Sequence, residues 1–125
     1  MELKKKALMI VDDDKEILEL LSDFFINHGY ETVLAQDGEE ATQLLKYKTV
    51  NLVVTDVRMP KMNGLNLLKH IKINFKGLPV ILMTGYELSK AELSNMAHQA
   101  DAYITKPFLP EYLLILVKKI IVEVK

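Results

Sequence analysis

Short apolar runs alternate with segments of helical periodicity along the whole chain. The apolar runs cover residues 7–11, 30–35, 52–55, 80–83 and 102–105. The third run has no polar alternation, which is typical of a strand that is buried on both faces. Five strands that alternate with helices predict a doubly wound α/β fold. We expect a three-layer sandwich around a parallel sheet with the strand order 2-1-3-4-5.

Apolar residues spaced three or four positions apart predict a helix after each strand. The first helix is capped by Asp13 or Asp14 and stops at Gly29. The second covers about residues 38–46, and the third contains residues 67–71 and fades at 74–77. The fourth, roughly residues 89–99, has the most diluted apolar stripe.

The last predicted helix begins near Pro110 and is apolar around most of its circumference. Its apolar residues are Leu113, Leu114, Ile115, Leu116, Val117, Ile120, Ile121 and Val122. A helix with so wide an apolar surface is usually buried on more than one side. It is either a well-packed edge helix or a docking face for a second domain or subunit, as in a homodimer.

Composition narrows the class of protein. A chain of 125 residues has the length of one domain, which we predict to span residues 1–125. The net charge of −1 gives no general attraction to nucleic acid or to an anionic membrane, and the basic residues 4–6 are interpreted as a solvated start.

The absence of cysteine excludes disulfides, thiolate metal sites and cysteine nucleophiles. No apolar run approaches the roughly 20 residues that span a bilayer, and the N-terminus lacks the apolar core of a signal peptide. We therefore expect a cytoplasmic protein.

Polar side chains stand where four of the five strands end. Asp12 and Asp13 follow the first strand, Asp56 the third, Thr84 the fourth and Lys106 the fifth. The carboxyl ends of parallel strands share one edge of a sheet, and ligands bind at that edge where the strand order reverses. We therefore expect these five side chains to form one site.

The adjacent acids suit a divalent cation. Asp12 and Asp13 repel each other, and a bound cation relieves that repulsion. Mg²⁺ fits because it takes one or two carboxylates, keeps several waters and accepts a phosphate oxygen. The alternative reading, that these acids only cap the next helix, is weaker because Asp14 is available for capping.

The remaining residues suit a phosphoryl group. Asp56 can attack phosphorus as a carboxylate nucleophile, and Lys106 can reach a phosphoryl oxygen. Thr84 offers a hydroxyl donor. Taken singly, a threonine at a strand end is usually a cap or turn residue, and a lysine before proline is usually a loop residue. The hypothesis depends on their occurring together.

Four segments match a known pattern. They are Val-Asp-Asp-Asp at 11–14, Val-Thr-Asp-Val-Arg-Met-Pro with Met-Asn-Gly at 54–64, Met-Thr-Gly at 83–85 and Lys-Pro-Phe at 106–108. In their order and spacing, from residue 6 to the last helix, the chain resembles the receiver domain of two-component response regulators. The resemblance implies a flavodoxin-like fold and a phosphorylation-switched signalling domain that is not a turnover enzyme.

The resemblance also implies the roles of the site residues. Asp56 would be the phosphoacceptor, receiving its phosphoryl group from a phosphohistidine of a sensor histidine kinase or phosphotransfer protein. Asp12, Asp13, Asp56 and the backbone carbonyl of Arg58 would bind Mg²⁺. Lys106 would bridge to the phosphoryl group.

Further positions of the pattern concern the output. Thr84 would be the switch hydroxyl, Tyr103 the aromatic residue that turns inward with it, and Lys106–Pro107 a cis peptide bond. The surface formed by the fourth helix, the fifth strand and the last helix would control a partner or output domain. The domain itself is not expected to contact nucleic acid or membrane.

Three positions depart from the usual pattern. Gln99 stands where the family usually has glycine, which adopts a left-handed helix end more easily. Gly85 follows the switch threonine where alanine is common. Arg58 and Tyr86 flank the acceptor, and we hypothesise that they screen a phosphoaspartate from water and slow its hydrolysis.

Three other readings were weighed against this one. A phosphohydrolase of the haloacid dehalogenase type needs a second acid two residues after its nucleophile, where this chain has Arg58. A flavodoxin-like cofactor binder needs a hydroxyl-rich phosphate loop in place of the acids at 12–14. A pseudo-receiver that is never phosphorylated would not need all five polar positions. A stand-alone receiver and a piece of a longer regulator or hybrid kinase both stay open.

Overall fold

The computed structural model describes residues 4–85, 94 and 100–121. Within these residues, strands and helices alternate as predicted up to the fourth strand. The strands are β1 (Ala7–Val11), β2 (Glu31–Ala35), β3 (Leu52–Asp56), β4 (Val80–Thr84) and β5 (Ala102–Thr105). The helices are α1 (Lys15–Asn27), α2 (Gly38–Leu45), α3 (Gly64–Asn74) and a C-terminal helix (Pro110–Ile120). The fourth predicted helix lies outside the described residues except for Ser94, and so do Tyr86 and Gln99.

The five strands form one parallel sheet in the order β2-β1-β3-β4-β5, which confirms the predicted order. The register aligns the strand ends, because Val11 pairs with Thr55 and Thr84 pairs with Thr105. The carboxyl ends of β1, β3, β4 and β5 therefore share one edge. The strand order reverses between β1 and β3, which lie side by side. Asp12 and Asp13 follow β1, and Asp56 ends β3.

Side chains of each central strand alternate between two apolar layers. Met9 and Val11 of β1 face a layer shared with α2 and α3, whereas Leu8 and Ile10 face a layer shared with α1 and the C-terminal helix. Every residue of β1, β3 and β4 is buried. Burial on both faces is the physical reason why these strands read as continuous apolar runs.

Polar residues start three of the described helices. The Asp14 carboxylate accepts hydrogen bonds from the N–H groups of Glu16 at 2.9 Å and Ile17 at 3.4 Å. Asp37 and Asn63 cap α2 and α3 in the same manner. Of the two capping candidates in the sequence, Asp14 is therefore the one that caps α1.

The C-terminal helix is buried along one side. Leu113, Leu114 and Val117 are buried, whereas Tyr112 and Ile115 are 57% and 51% exposed. The wide apolar surface is thus partly packed on the sheet and α1 and partly exposed, and the docking face stays a prediction. None of the described helices is long and apolar enough to cross a membrane.

Candidate functional site

Three carboxylates converge at the carboxyl edge of the sheet. Asp12 and Asp13 follow β1, and Asp56 is the last residue of the adjacent β3. One carboxylate oxygen from each residue lies within 4.8 Å of the others. Asp12 is fully buried and Asp56 is 9% exposed, whereas Asp13 is exposed. The structure thus brings together the three acids that the sequence pattern singled out.

Lys106 reaches this cluster from the loop after β5. Its Nζ atom lies 2.8 Å from Asp12 Oδ2 and 3.2 Å from Asp56 Oδ2. Its backbone N–H donates to the Thr84 carbonyl at 2.7 Å, which fixes the start of the loop, and the Lys106–Pro107 peptide bond is cis. The Lys106 ammonium group therefore pairs with both Asp12, which follows β1, and Asp56, which ends β3.

Burial and charge shift two pKa values in this cluster. Burial lowers the pKa of Lys106, but its hydrogen bonds and ion pairs with Asp12 and Asp56 outweigh burial and raise that pKa above its usual value. Burial and the Asp12 charge raise the pKa of Asp56, against the opposing effect of Lys106 and the Val57 N–H. Lys106 therefore stays protonated at neutral pH, while the charge on Asp56 is only partly compensated.

Backbone groups hold Asp56 in place. The Val57 N–H donates to Asp56 Oδ1 at 2.8 Å, and the Thr55 hydroxyl donates to the Asp56 carbonyl at 2.9 Å. Gly64 starts α3 so close to β3 that an added Cβ would collide with the Asp56 carbonyl oxygen. Sequence reasoning missed these groups. A backbone amide leaves no sequence signal, but Gly64 stood in the matched segment and could have been recognised.

The other expected site residues differ in where they lie. Thr84 ends β4 and is buried, next in the chain to Met83, which pairs with Asp56 in the sheet register. Arg58 lies exposed in the loop after β3, two residues beyond Asp56. Tyr103 lies on β5 and is 54% exposed. The structure thus places Thr84 at the same edge as the carboxylates and leaves Tyr103 largely at the surface.

The donor set fits a small, hard divalent cation. All three converging ligand atoms are carboxylate oxygens, which is the ligand type that Mg²⁺ prefers. Burial and the charge of Asp12 together outweigh the favourable effect of Lys106 and raise the pKa of Asp56. A further cation at this cluster would stabilise the ionised acids.

Comparison with known proteins assigns the family. Residues 8–118 match the family model of the response regulator receiver domain. The chain is 35% identical over 113 residues to the probable transcriptional regulator ycf27 of Cyanophora paradoxa. It is 31% identical over 116 residues to the alkaline phosphatase synthesis transcriptional regulatory protein PhoP of Bacillus subtilis. These alignments cover 90% and 93% of the chain but 47% and 48% of the relatives, so the chain spans about half their length.

Solved structures give the same answer. A CheY-like receiver domain protein from Methanospirillum hungatei superposes with a TM-score of 0.88 at 32% identity, covering 93% of each chain. The response regulator TrrA of Thermotoga maritima, solved in complex with Mg²⁺-BeF, gives a TM-score of 0.83 at 35% identity, covering 93% of this chain and 99% of that one. The chain belongs to the response regulator receiver domain family, and its flavodoxin-like fold is the one predicted from the sequence.

Proposed function

We propose that Asp56 accepts a phosphoryl group from a phosphohistidine of a sensor histidine kinase or phosphotransfer protein. The observation that carries the proposal is the position of Lys106, whose Nζ lies between Asp12 Oδ2 at 2.8 Å and Asp56 Oδ2 at 3.2 Å. A carboxylate nucleophile thus stands beside an ammonium group at the sheet edge where ligands bind. Membership of the receiver family supports the same role.

The transfer needs positioning more than covalent chemistry from the protein. An Asp56 carboxylate oxygen forms a bond to phosphorus as the bond between phosphorus and the donor imidazole nitrogen breaks. That nitrogen keeps the bonding electron pair and later takes a proton from solvent. The Val57 N–H holds one carboxylate oxygen, and Lys106 lies close enough to compensate the charge that the phosphoryl oxygens bring.

Mg²⁺ belongs to the proposal as the cofactor. Asp12, Asp13 and Asp56 would hold it, with the backbone carbonyl of Arg58 as a further protein ligand. When bound, the ion supplies positive charge that screens the acids from an incoming phosphoryl group. The convergence of three carboxylate oxygens supports this assignment, and so does the similarity to TrrA, which was solved with Mg²⁺-BeF.

The proposed output is a shift between two conformations of one domain. Thr84 and Tyr103 would couple the site to the surface formed by the fourth predicted helix, β5 and the C-terminal helix. That surface would then control a partner or an output domain, or form a homodimer. On this proposal residues 1–125 act in the cytoplasm as one phosphorylated signalling domain, without turnover of an external substrate and without direct contact to nucleic acid or membrane.

The test is intact mass after incubation with Mg²⁺ and acetyl phosphate, a small phosphodonor. We expect the chain to gain the mass of one phosphoryl group and the Asp56→Ala variant to gain none. Asp13→Asn is the matched comparison, because it keeps the acceptor while removing one carboxylate of the cation cluster. That variant should be phosphorylated more slowly and at the same residue.

A different outcome would assign a different function. If neither the wild type nor the variants gain mass in the presence of Mg²⁺, the chain is a pseudo-receiver that binds partners without phosphorylation. If Asp56→Ala gains the same mass as the wild type, another residue is the acceptor and the assignment of Asp56 is wrong.

A further inference from the structure

A cavity opens at the amino edge of the sheet, opposite the acidic cluster. It has a volume of about 410 Å³ and lies between the segment that joins α2 to β3 and the segment that joins α3 to β4. Residues 45, 48–51 and 75–78 line it. Nothing in the phosphoryl-transfer proposal uses this cavity.

The cavity combines an apolar lining with two cationic side chains. Leu45 and Val50 are buried, and Phe75 is half-buried beside them. Lys48 and Lys76 are exposed, and they come from two segments that are distant in the sequence. Among the residues that the structure describes, no carboxylate lines this cavity and neither lysine forms an ion pair.

Charges of both signs lie at this edge of the sheet, but the Asp101 carboxylate is already paired with Lys72 at 2.9 Å and the exposed Glu31 starts the outer strand β2. Lys4 and Lys5 are exposed just before β1. The start of β1 is joined to the cavity lining, since the Ala7 N–H donates to Asn51 Oδ1 and the Asn51 N–H donates to the Ala7 carbonyl, both at 2.8 Å. The start of β1 therefore lies beside the cavity, two residues after Lys5. The carboxylates of the proposed phosphorylation site stand at the other end of the strands.

We propose that this amino-edge cavity binds an acidic segment of a partner protein. One apolar side chain of the segment enters the cavity, and carboxylates on either side of it pair with Lys48 and Lys76. The argument is charge complementarity combined with an apolar lining. A bare anion would leave that lining in contact with water, whereas an apolar side chain removes it from water. The contact lies far from Asp56 and does not require phosphorylation.

The experiment uses the whole ¹⁵N-labelled chain and synthetic peptides. Each peptide has one leucine with glutamates placed one, two or three residues away on both sides. Matched sets carry serine in place of leucine, or lysine in place of the glutamates. We expect a leucine–glutamate peptide to shift the amide resonances of Lys48, Thr49, Asn51, Lys76 and Gly77. Binding should weaken when the salt concentration rises from about 0.05 M to about 0.5 M.

Charge-reversal variants test the two lysines. The double variant Lys48→Glu/Lys76→Glu should bind the peptide at least about tenfold more weakly, because both attractive contacts become repulsive. Lys118→Glu makes one such change on the exposed surface of the C-terminal helix and should leave binding unchanged. Both variants should still gain one phosphoryl group, so failure of this proposal is distinguishable from failure of the proposed function.

Several results would overturn the proposal. Equal binding of the serine and leucine peptides would show that the cavity takes no side chain, and the absence of shifts with every spacing would show that no acidic segment binds. Shifts of the same amides on concentrating the protein alone would assign the surface to a second copy. Binding to vesicles of anionic phospholipid without binding of any peptide would assign it to a membrane surface.

Discussion

The surroundings of Asp56 have opposing effects on the pKa of its carboxyl group. Burial and the neighbouring Asp12 raise its pKa, although Lys106 lies 3.2 Å away and the Val57 N–H donates to it. Without a bound cation, the ionised form of Asp56 is therefore less stable in the folded chain than in the unfolded chain. A cation bound beside Asp56 would stabilise that ionised form.

The raised pKa of Asp56 has a consequence for stability. In chelator at neutral pH, Asp56→Asn should melt at a higher temperature than the wild type, because the variant removes a destabilised charge. The gain should shrink as the pH falls through the raised folded pKa. It should vanish below the unfolded value of about 3.9, where the wild-type carboxyl is protonated in both states. Thermal unfolding monitored at several pH values measures this.

The exposed Asp23 supplies the control for this comparison, and Asp23→Asn should change the melting temperature less than Asp56→Asn does. A lower melting temperature for Asp56→Asn at neutral pH would mean that the ion pair with Lys106 outweighs burial and repulsion.

Lys106 stabilises the acids that it contacts. In Lys106→Met, the fully buried Asp12 and the nearly buried Asp56 lose their shared ammonium partner. We expect the free energy of unfolding to fall by about 1–3 kcal/mol in chelator. Added Mg²⁺ should recover part of this loss because a cation replaces the missing charge. Urea unfolding with and without Mg²⁺ measures both effects.

Lys61→Met is the matched variant, because the exposed Lys61 forms a long ion pair with the half-buried Asp37 at 3.8 Å. Its effect should stay below about 1 kcal/mol and should not depend on Mg²⁺. If Mg²⁺ restores nothing in Lys106→Met, the carboxylate cluster is not the cation site.

The start of α3 lies against the backbone of Asp56, the proposed phosphoacceptor. A Cβ at Gly64 would collide with the carbonyl oxygen of Asp56, so Gly64→Ala must move the helix away from β3. We expect a loss of about 1–3 kcal/mol in unfolding free energy, together with slower phosphorylation because the acceptor backbone shifts. Urea unfolding and the rate of mass gain with acetyl phosphate measure the two effects.

Asn66→Ala changes an exposed position of the same helix and should leave the phosphorylation rate unchanged. Wild-type phosphorylation in Gly64→Ala would show that the acceptor tolerates a displaced helix.

Several strand boundaries follow directly from the runs of apolar residues in the sequence. The fifth strand was predicted at residues 102–105 and is found there. The second begins at Glu31 and not at Tyr30, because the Tyr30 N–H donates to the Phe25 carbonyl and its ring packs edge-on against Phe25, so Tyr30 closes α1. The sequence could not choose between Asp13 and Asp14 as the cap, since two adjacent acids carry the same capping signal.

The composition of the site was predictable, but its internal contacts were not. Residue types at the strand ends indicated that Asp12, Asp56 and Lys106 would share one edge. Which carboxylates the lysine contacts depends on how its long side chain crosses that edge, and no sequence pattern encodes this. Periodicity likewise could not tell that Ile115 would be half exposed, because it does not specify which side of an apolar helix is packed.

For the whole molecule, the exposed apolar residues suggest how phosphorylation could be read out. Tyr103, Leu109, Tyr112 and Ile115 are each more than half exposed on or beside β5 and the C-terminal helix. If this surface is the output surface, acetyl phosphate with Mg²⁺ should increase the dimer fraction in sedimentation velocity. Ile115→Lys should prevent the increase while the gain of one phosphoryl group is unchanged.

Ile26→Lys makes the same change at a half-exposed position of α1 and should dimerise like the wild type. Asp56→Asn should stay monomeric with the phosphodonor. A dimer in Asp56→Asn, or equal dimer fractions with and without the donor, would contradict this prediction, because dimerisation would then not depend on phosphorylation.

The site also joins two strands, β3 and β5, that are bonded into the sheet to different degrees. β3, which ends in Asp56, is buried on both faces and bonded to strands on both sides. β5, which leads to Lys106, bonds only to β4 in the described sheet, and its side chains are alternately half-buried and exposed. We therefore expect the carboxylate to stand on a more rigid support than the ammonium group does. A phosphorylated Asp56 could therefore draw Lys106 and its strand into a new position while the interior of the sheet stays unstrained.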